Sequence, residues 1–126
     1  MGTMRFLLIN STPSDYWAKA LRLALVSLGT LETTSRKRAT TLLERSAYDV
    51  VFIDVTAVAD FVEVVKELRQ HWPALPIIVA ATAVDWVPAR AAFRAGATDY
   101  ICKSHDQQEL LSATNAVLEQ NNLSAA

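Results

Sequence analysis

Cysteine occurs once in this chain, as Cys102, and glycine only three times. A single cysteine excludes an internal disulfide and any metal site built on paired thiolates. It suits a reducing compartment, so a cytoplasmic protein is expected. Three glycines leave no room for a phosphate-cradling loop or a dinucleotide fingerprint. The two histidines, His71 and His105, are far apart in sequence and have no matching ligands, so metal binding by them is not expected. No Ser-His-Asp arrangement suggests a hydrolase. No apolar run approaches the roughly 20 residues that cross a bilayer. The opening MGTMRFLLIN has too short an apolar run for a signal peptide. Neither charge sign is in excess, with 12 basic and 13 acidic residues. That balance argues against direct nucleic-acid binding and against an anionic membrane partner. The only dense basic cluster, Ser35 to Arg38, reads as a solvated helix start.

What is present is a chain of 126 residues, 52% hydrophobic and 20% charged. This is the composition of one globular domain with a well-filled core. The domain is expected over residues 1–126, with its core at about 4–120 and a tail or the start of a linker at 121–126. Short β-rich runs alternate with amphipathic stretches. Arg5 to Ile9 reads as a buried strand, ended by the turn cluster Asn10 to Pro13. Ser14 or Asp15 then caps a helix running to about Leu28, with Trp17, Leu21, Leu25 and Leu28 on one face. Gly29 is expected as its C-terminal stop. Leu31 to Thr34 is a weak strand, and Arg38 to Ala47 a helix with Leu42 and Leu43 inward. Val50 to Ile53 is the strongest strand. Phe61, Val65, Leu68 and Trp72 give a second helical stripe, broken by Pro73 and Pro76. Ile77 to Ala81 is another strand. Asp85 caps a helix through Ala95, with Pro88 in its first turn and Gly96 as its stop. Thr98 to Cys102 is the fifth strand, with Cys102 expected as a small buried hydrophobe. Asp106 to about Glu119 is the fifth helix, with Leu110, Thr114, Val117 and Leu118 facing in.

Strands alternating with helices predict a parallel sheet covered on both faces. Continuous apolar strands, rather than alternating ones, predict the same. The fold class is therefore α/β: a three-layer, doubly wound sandwich of five βα units. In such sheets the functional crevice lies beyond the C-terminal strand ends. The residues to inspect there are Asn10, Ser11, Asp54, Ala81, Thr82 and Lys103.

The pattern resembles the receiver domain of bacterial response regulators, the CheY-like phosphoacceptor module of two-component signalling. Three segments carry the likeness. Tyr48 to Val55, YDVVFIDV, resembles the family's third strand with its phosphoacceptor at Asp54. Pro76 to Thr82, PIIVAAT, resembles the fourth. Ala95 to Lys103, AGATDYICK, resembles the AGA-x-DY-x-x-K segment, with the switch aromatic at Tyr100 and the lysine at Lys103. The resemblance implies the flavodoxin-like strand order 2-1-3-4-5. It also implies a phosphoryl pocket of Lys103, Thr82, Ala81 and Thr56 around Asp54, and a function in phosphorelay signalling without enzyme turnover. Implied partners are a histidine kinase or phosphotransfer protein and an output domain or protein. A homodimer through the fourth helix, fifth strand and fifth helix is implied as well. That region carries Arg90, Arg94, Asp99, Lys103 and Glu109.

The departures bear on the chemistry. Family members carry acids after the first strand, where this chain has Asn10 and Ser11. Those acids would hold Mg²⁺ together with Asp54. A hard divalent cation wants charged oxygen ligands, and two unit charges about 4 Å apart interact by roughly 4 kcal/mol at an effective dielectric near 20. Mg²⁺ binding at Asp54 is therefore expected to be weak or absent, and a direct Asp54–Lys103 ion pair to take its place. The usual hydroxyl position on the fourth strand falls on Ala81. Thr82 replaces it only if the backbone bends there, since neighbouring strand residues point to opposite faces. The loop after Asp54 lacks the usual Pro-Gly. Ser104 follows Lys103 in place of proline, so nothing favours a cis peptide. These features favour an atypical receiver, or pseudo-receiver, that acts through protein–protein interaction. The alternative is a flavodoxin-like small-ligand domain holding an anion at Asn10 to Ser14. Trp17 and Trp72 are expected in the core and Trp86 at an exposed helix start.

Overall fold

The computed structural model describes residues 3–10, 16–83 and 85–125. Five strands, β1 (Met4–Ile9), β2 (Gly29–Thr34), β3 (Val50–Asp54), β4 (Ile77–Ala81) and β5 (Asp99–Cys102), form one sheet in the order β2-β1-β3-β4-β5. Every pairing is parallel. The helices α1 (Tyr16–Ala24), α2 (Arg36–Arg45), α3 (Phe61–His71), α4 (Trp86–Ala95) and α5 (Gln107–Ala125) follow the strands in turn. The expected fold class and strand order hold.

Because strand side chains alternate between faces, the sheet separates two cores. Leu7, Ile9, Val51, Ile53, Ile77, Val79, Ala81 and Tyr100 face one way and pack with Leu43, Val65, Leu68 and Ala92 from α2, α3 and α4. Phe6, Leu8, Val50, Phe52, Ile78 and Ala80 face the other way and pack with Trp17, Leu21, Leu110 and Val117 from α1 and α5. The central strands β3 and β4 are buried along their whole length, which explains their unbroken apolar character.

Several boundaries differ from the sequence expectation. Helix α1 ends at Ala24 rather than near Leu28. The reason is strand pairing. The Met4 N–H donates to the Leu28 carbonyl, and β1 takes up register with β2 at Gly29. Gly29 is thus the first residue of a strand and not a helix stop, and a Cβ there would collide with the Met4 carbonyl oxygen. Gly96 does end its helix, with φ 120°, a conformation that costs a side chain. Helix α2 begins two residues early, at Arg36, with Arg36, Lys37 and Arg38 all exposed. Helix α5 continues through Ala125, so residues 121–125 extend a helix instead of forming a tail. Cys102 is exposed, against the expectation. It ends β5, the edge strand of the sheet. The helix cap expected at Ser14 or Asp15 and the candidate anion loop beyond Asn10 lie outside the described residues.

Candidate functional site

Register brings the site together. Asp54 pairs with Ala80 across β3 and β4, and Ala80 pairs with Ile101 across β4 and β5. Asp54, Ala80, Ile101 and Lys103 share one face by alternation, the face covered by α1 and α5. Adjacent strands lie about 4.8 Å apart, so two spacings separate β3 from β5 by roughly 10 Å. A lysine crosses that gap only if the residue between is small, and Ala80 is.

The lysine does cross. Lys103 Nζ lies 2.9 Å from Asp54 Oδ2, with 1% of the aspartate and 14% of the lysine side chain exposed. The other carboxylate oxygen, Oδ1, accepts the Thr56 backbone N–H at 3.0 Å. Backbone bonds fix the frame on both sides. The Ala57 and Val58 N–H groups donate to the Asp54 carbonyl, and the Lys103 N–H donates to the Ala81 carbonyl at 2.7 Å. Burying a lone carboxylate is costly; a charge-assisted pair with a second hydrogen bond offsets much of that cost.

Of the remaining expected residues, Asn10 and Thr56 border this pair, while Ala81 and Tyr100 face the opposite core. Asn10 ends β1 and is buried. Extending the β1–β3 register by one residue sets it beside Asp54. Ser11 lies outside the described residues. Ala81 ends β4, with its methyl in the core shared with Tyr100. The chain bends at Thr82, as a hydroxyl replacement at that position requires, and Thr82 Oγ1 lies 3.4 Å from Thr56 Oγ1. The two hydroxyls thus meet each other, and Thr56 reaches the carboxylate through its backbone N–H. Tyr100 is turned inward and buried. Its phenol is pushed above the usual tyrosine value, mainly by burial and next by the negative charge of Asp85. Among the described residues, no three His, Cys, Asp or Glu side chains converge on a common cation position. Among the described residues, the donors at Asp54 are one carboxylate already engaged by an ammonium group and, beside it by register, the neutral amide of Asn10.

Trp17 was expected only as a core residue. It is buried in the core beneath α1, but it also borders the site. The Lys103 ammonium lies 5.8 Å from the centre of its ring, and its indole N–H donates to the Ser104 carbonyl at 3.0 Å. Nothing in the spacing of the α1 stripe separates this tryptophan from an ordinary apolar residue.

A parallel 2-1-3-4-5 sheet with an Asp and a Lys meeting at its C-terminal rim defines a receiver-like module. The family profile of the response regulator receiver domain matches residues 15–115, and the chain belongs to that family. The alginate biosynthesis transcriptional regulatory protein AlgB of Pseudomonas putida is 35% identical over 94 residues, which cover 72% of this chain and 20% of the relative. The chain therefore spans about a fifth of that regulator's length. Among solved structures, a response regulator from Thermotoga maritima superposes with a TM-score of 0.84 at 23% identity, over 94% of this chain and 99% of its own. A putative response regulator from Chloroflexus aurantiacus gives 0.82 at 26% identity, over 94% and 99%. The first likeness is one of fold alone. The chain is a receiver domain of two-component signalling.

Proposed function

We propose that this domain is an atypical receiver, in which the Lys103 ammonium supplies the positive charge that Mg²⁺ would otherwise bring to Asp54. The observation that carries this reading is the 2.9 Å pair between Lys103 Nζ and a nearly sealed Asp54. A divalent cation needs several charged oxygens, and the amide of Asn10 adds no charge. The described residues do not fit the metal: at Asp54, the phosphoacceptor position in this reading, they offer one carboxylate that is already paired with an ammonium group. Signalling then rests on contacts with other proteins rather than on turnover.

The partners proposed are a histidine kinase or phosphotransfer protein on the input side and an output domain or protein on the other. The curated relatives, of whose length the chain matches about a fifth, are transcriptional regulators by name, which supports an output of that kind. A homodimer through α4, β5 and α5 is proposed on the exposure of Trp86, Val87 and Phe93 beside the exposed Arg90 and Arg94. Lys103 takes no part in that surface, because it is turned into the Asp54 pair.

Titration with Mg²⁺ and with beryllofluoride, followed by calorimetry and by amide shifts around Asp54, tests the reading. No saturable binding at millimolar Mg²⁺ is expected. Tight binding that disappears in Asp54→Ala would overturn it in favour of a working, metal-dependent receiver.

A further inference from the structure

Two consecutive residues of the β5–α5 turn, Lys103 and Ser104, are engaged by one side chain from α1. We infer that Trp17 is the positioning residue of the Asp54–Lys103 pair: its indole N–H pins the backbone at Ser104 while its ring face confines the Lys103 ammonium on the carboxylate side. This rests on the reading that Asp54 and Lys103 are the pocket's charge pair.

Geometry carries the inference. A lysine side chain has four rotatable bonds and pays rotamer entropy when fixed. At the rim of the molecule its ammonium is drawn toward water. Here its side chain is only 14% exposed. The carboxylate holds it on one side at 2.9 Å, and the indole ring lies 5.8 Å away on another. That separation falls inside the reach of a cation–π attraction, for which tryptophan is the best partner. The 3.0 Å bond from indole to the Ser104 carbonyl fixes where the lysine's own backbone begins. Trp17 is itself immobilised, 2% exposed among Phe6, Phe52 and Ala80. A rigid α1 residue therefore sets both the root and the tip of a flexible side chain on β5. Leucine or methionine at position 17 would keep an apolar side chain in the core, at the cost of a cavity, but would do neither.

Competitive lysine acetylation with limiting reagent, read peptide by peptide by mass spectrometry in the presence of EDTA, tests this. The exposed Lys19, Lys37 and Lys66 serve as internal references. Trp17→Phe keeps a ring face and loses the N–H; Trp17→Leu loses both. Labelling of Lys103 relative to the references is expected to rise about fivefold in Trp17→Phe and about tenfold or more in Trp17→Leu, the scale of a lost cation–π contact and hydrogen bond. Unchanged relative labelling in Trp17→Phe, or equal rises at all four lysines, overturns the inference. If Trp17→Leu does not fold, Trp17→Phe and the unsubstituted protein decide. In the latter, Lys103 side-chain protons shifted upfield and showing Overhauser contacts to the indole are expected, and their absence overturns the inference. Asp54→Asn separates the two readings. If it frees Lys103 while the Trp17 variants do not, the charge pair stands and the positioning role falls. If it leaves Lys103 labelling unchanged, the charge pair itself is wrong.

Discussion

Asp54 and Lys103, 49 positions apart in sequence, meet as a 2.9 Å ion pair whose carboxylate is 1% exposed and whose lysine side chain is 14% exposed. Their unequal burial makes the two single substitutions unequal. Lys103→Met leaves an uncompensated carboxylate in the interior and is expected to cost about 3 kcal/mol. Asp54→Asn is expected to cost less, because the freed lysine stands at the rim and reaches water. The double variant Asp54→Asn, Lys103→Met should lie well short of the sum. Urea denaturation of the four proteins checks this double-mutant cycle; strict additivity would mean that the pair contributes nothing as a pair.

Restoring one acid should restore metal sensitivity. Asn10 is buried at the end of β1, beside Asp54 by register. Asn10→Asp adds a second carboxylate to a site balanced by one lysine. Without metal the variant should be less stable by about 2 kcal/mol, the cost of a poorly compensated buried group. Mg²⁺ should then raise its melting temperature in a concentration-dependent way, since a ligand of the folded state alone stabilises it. The unsubstituted protein should show no such response. A variant whose melting is indifferent to Mg²⁺ would mean that position 10 does not address the Asp54 site.

Arg69 offers a different test, at the opposite end of the sheet. Its guanidinium reaches the carbonyls of Gly96, Pro73 and Leu75 at 2.6 to 3.0 Å, with Trp72 at 3.4 Å. Burial lowers its pKa from the usual arginine value, and no acid partners it among the ion pairs of the described residues. It ties the C-terminal ends of α3 and α4 to the segment that leads into β4, and cations are favoured at helix C-termini by the helix dipoles. Arg69→Met is expected to cost about 3 kcal/mol, because several inward carbonyls lose their donor. Arg69→Lys should recover only a minority of this, since an ammonium lacks the planar fork. Thermal melts of the two variants check the order.

Most of the architecture was legible because it rests on local signals. The apolar runs 50–53 and 77–81, the Asp85 cap and the Gly96 stop are each written in a few adjacent residues, and each is found in place. Asp54 and Lys103 were legible through the segments that flank them, and their juxtaposition follows from register. The failures share a physical origin in tertiary pairing. The α1 stripe continues to Leu28, yet pairing of β1 with β2 claims the chain at Gly29. Cys102 carries β-strand signals, but which strand forms the sheet edge is a property of the whole topology. Trp17 has the spacing of a core residue, and its second role at Lys103 depends on a neighbour 86 positions away. Arg69, a lone arginine on an amphipathic helix, gave no sign that carbonyls from two other elements would converge on it.

Alkaline pH should expose the inward state of Tyr100. Its phenol is pushed above the ordinary value of 10.0 by burial first and by Asp85 second. A raised phenol value means that the folded protein resists forming the phenolate that the unfolded chain forms freely. The contribution of Tyr100 to stability is therefore fully present below the ordinary value and is lost as pH rises through the folded one. Tyr48 is raised as well, by burial and by its hydrogen bond to Glu32, so the comparison belongs in a Tyr48→Phe background. There the stability difference between Tyr100 and Tyr100→Phe proteins should be constant from neutral pH to just below 10.0 and should shift toward the phenylalanine variant above it. Adding Asp85→Asn should leave most of that shift in place, because burial is the larger cause, and should also weaken the α4 start, where Asp85 accepts the Val87 N–H at 3.4 Å. Urea midpoints measured across the alkaline range decide the matter. Parallel curves for the two proteins would place the phenol in water and contradict an inward Tyr100.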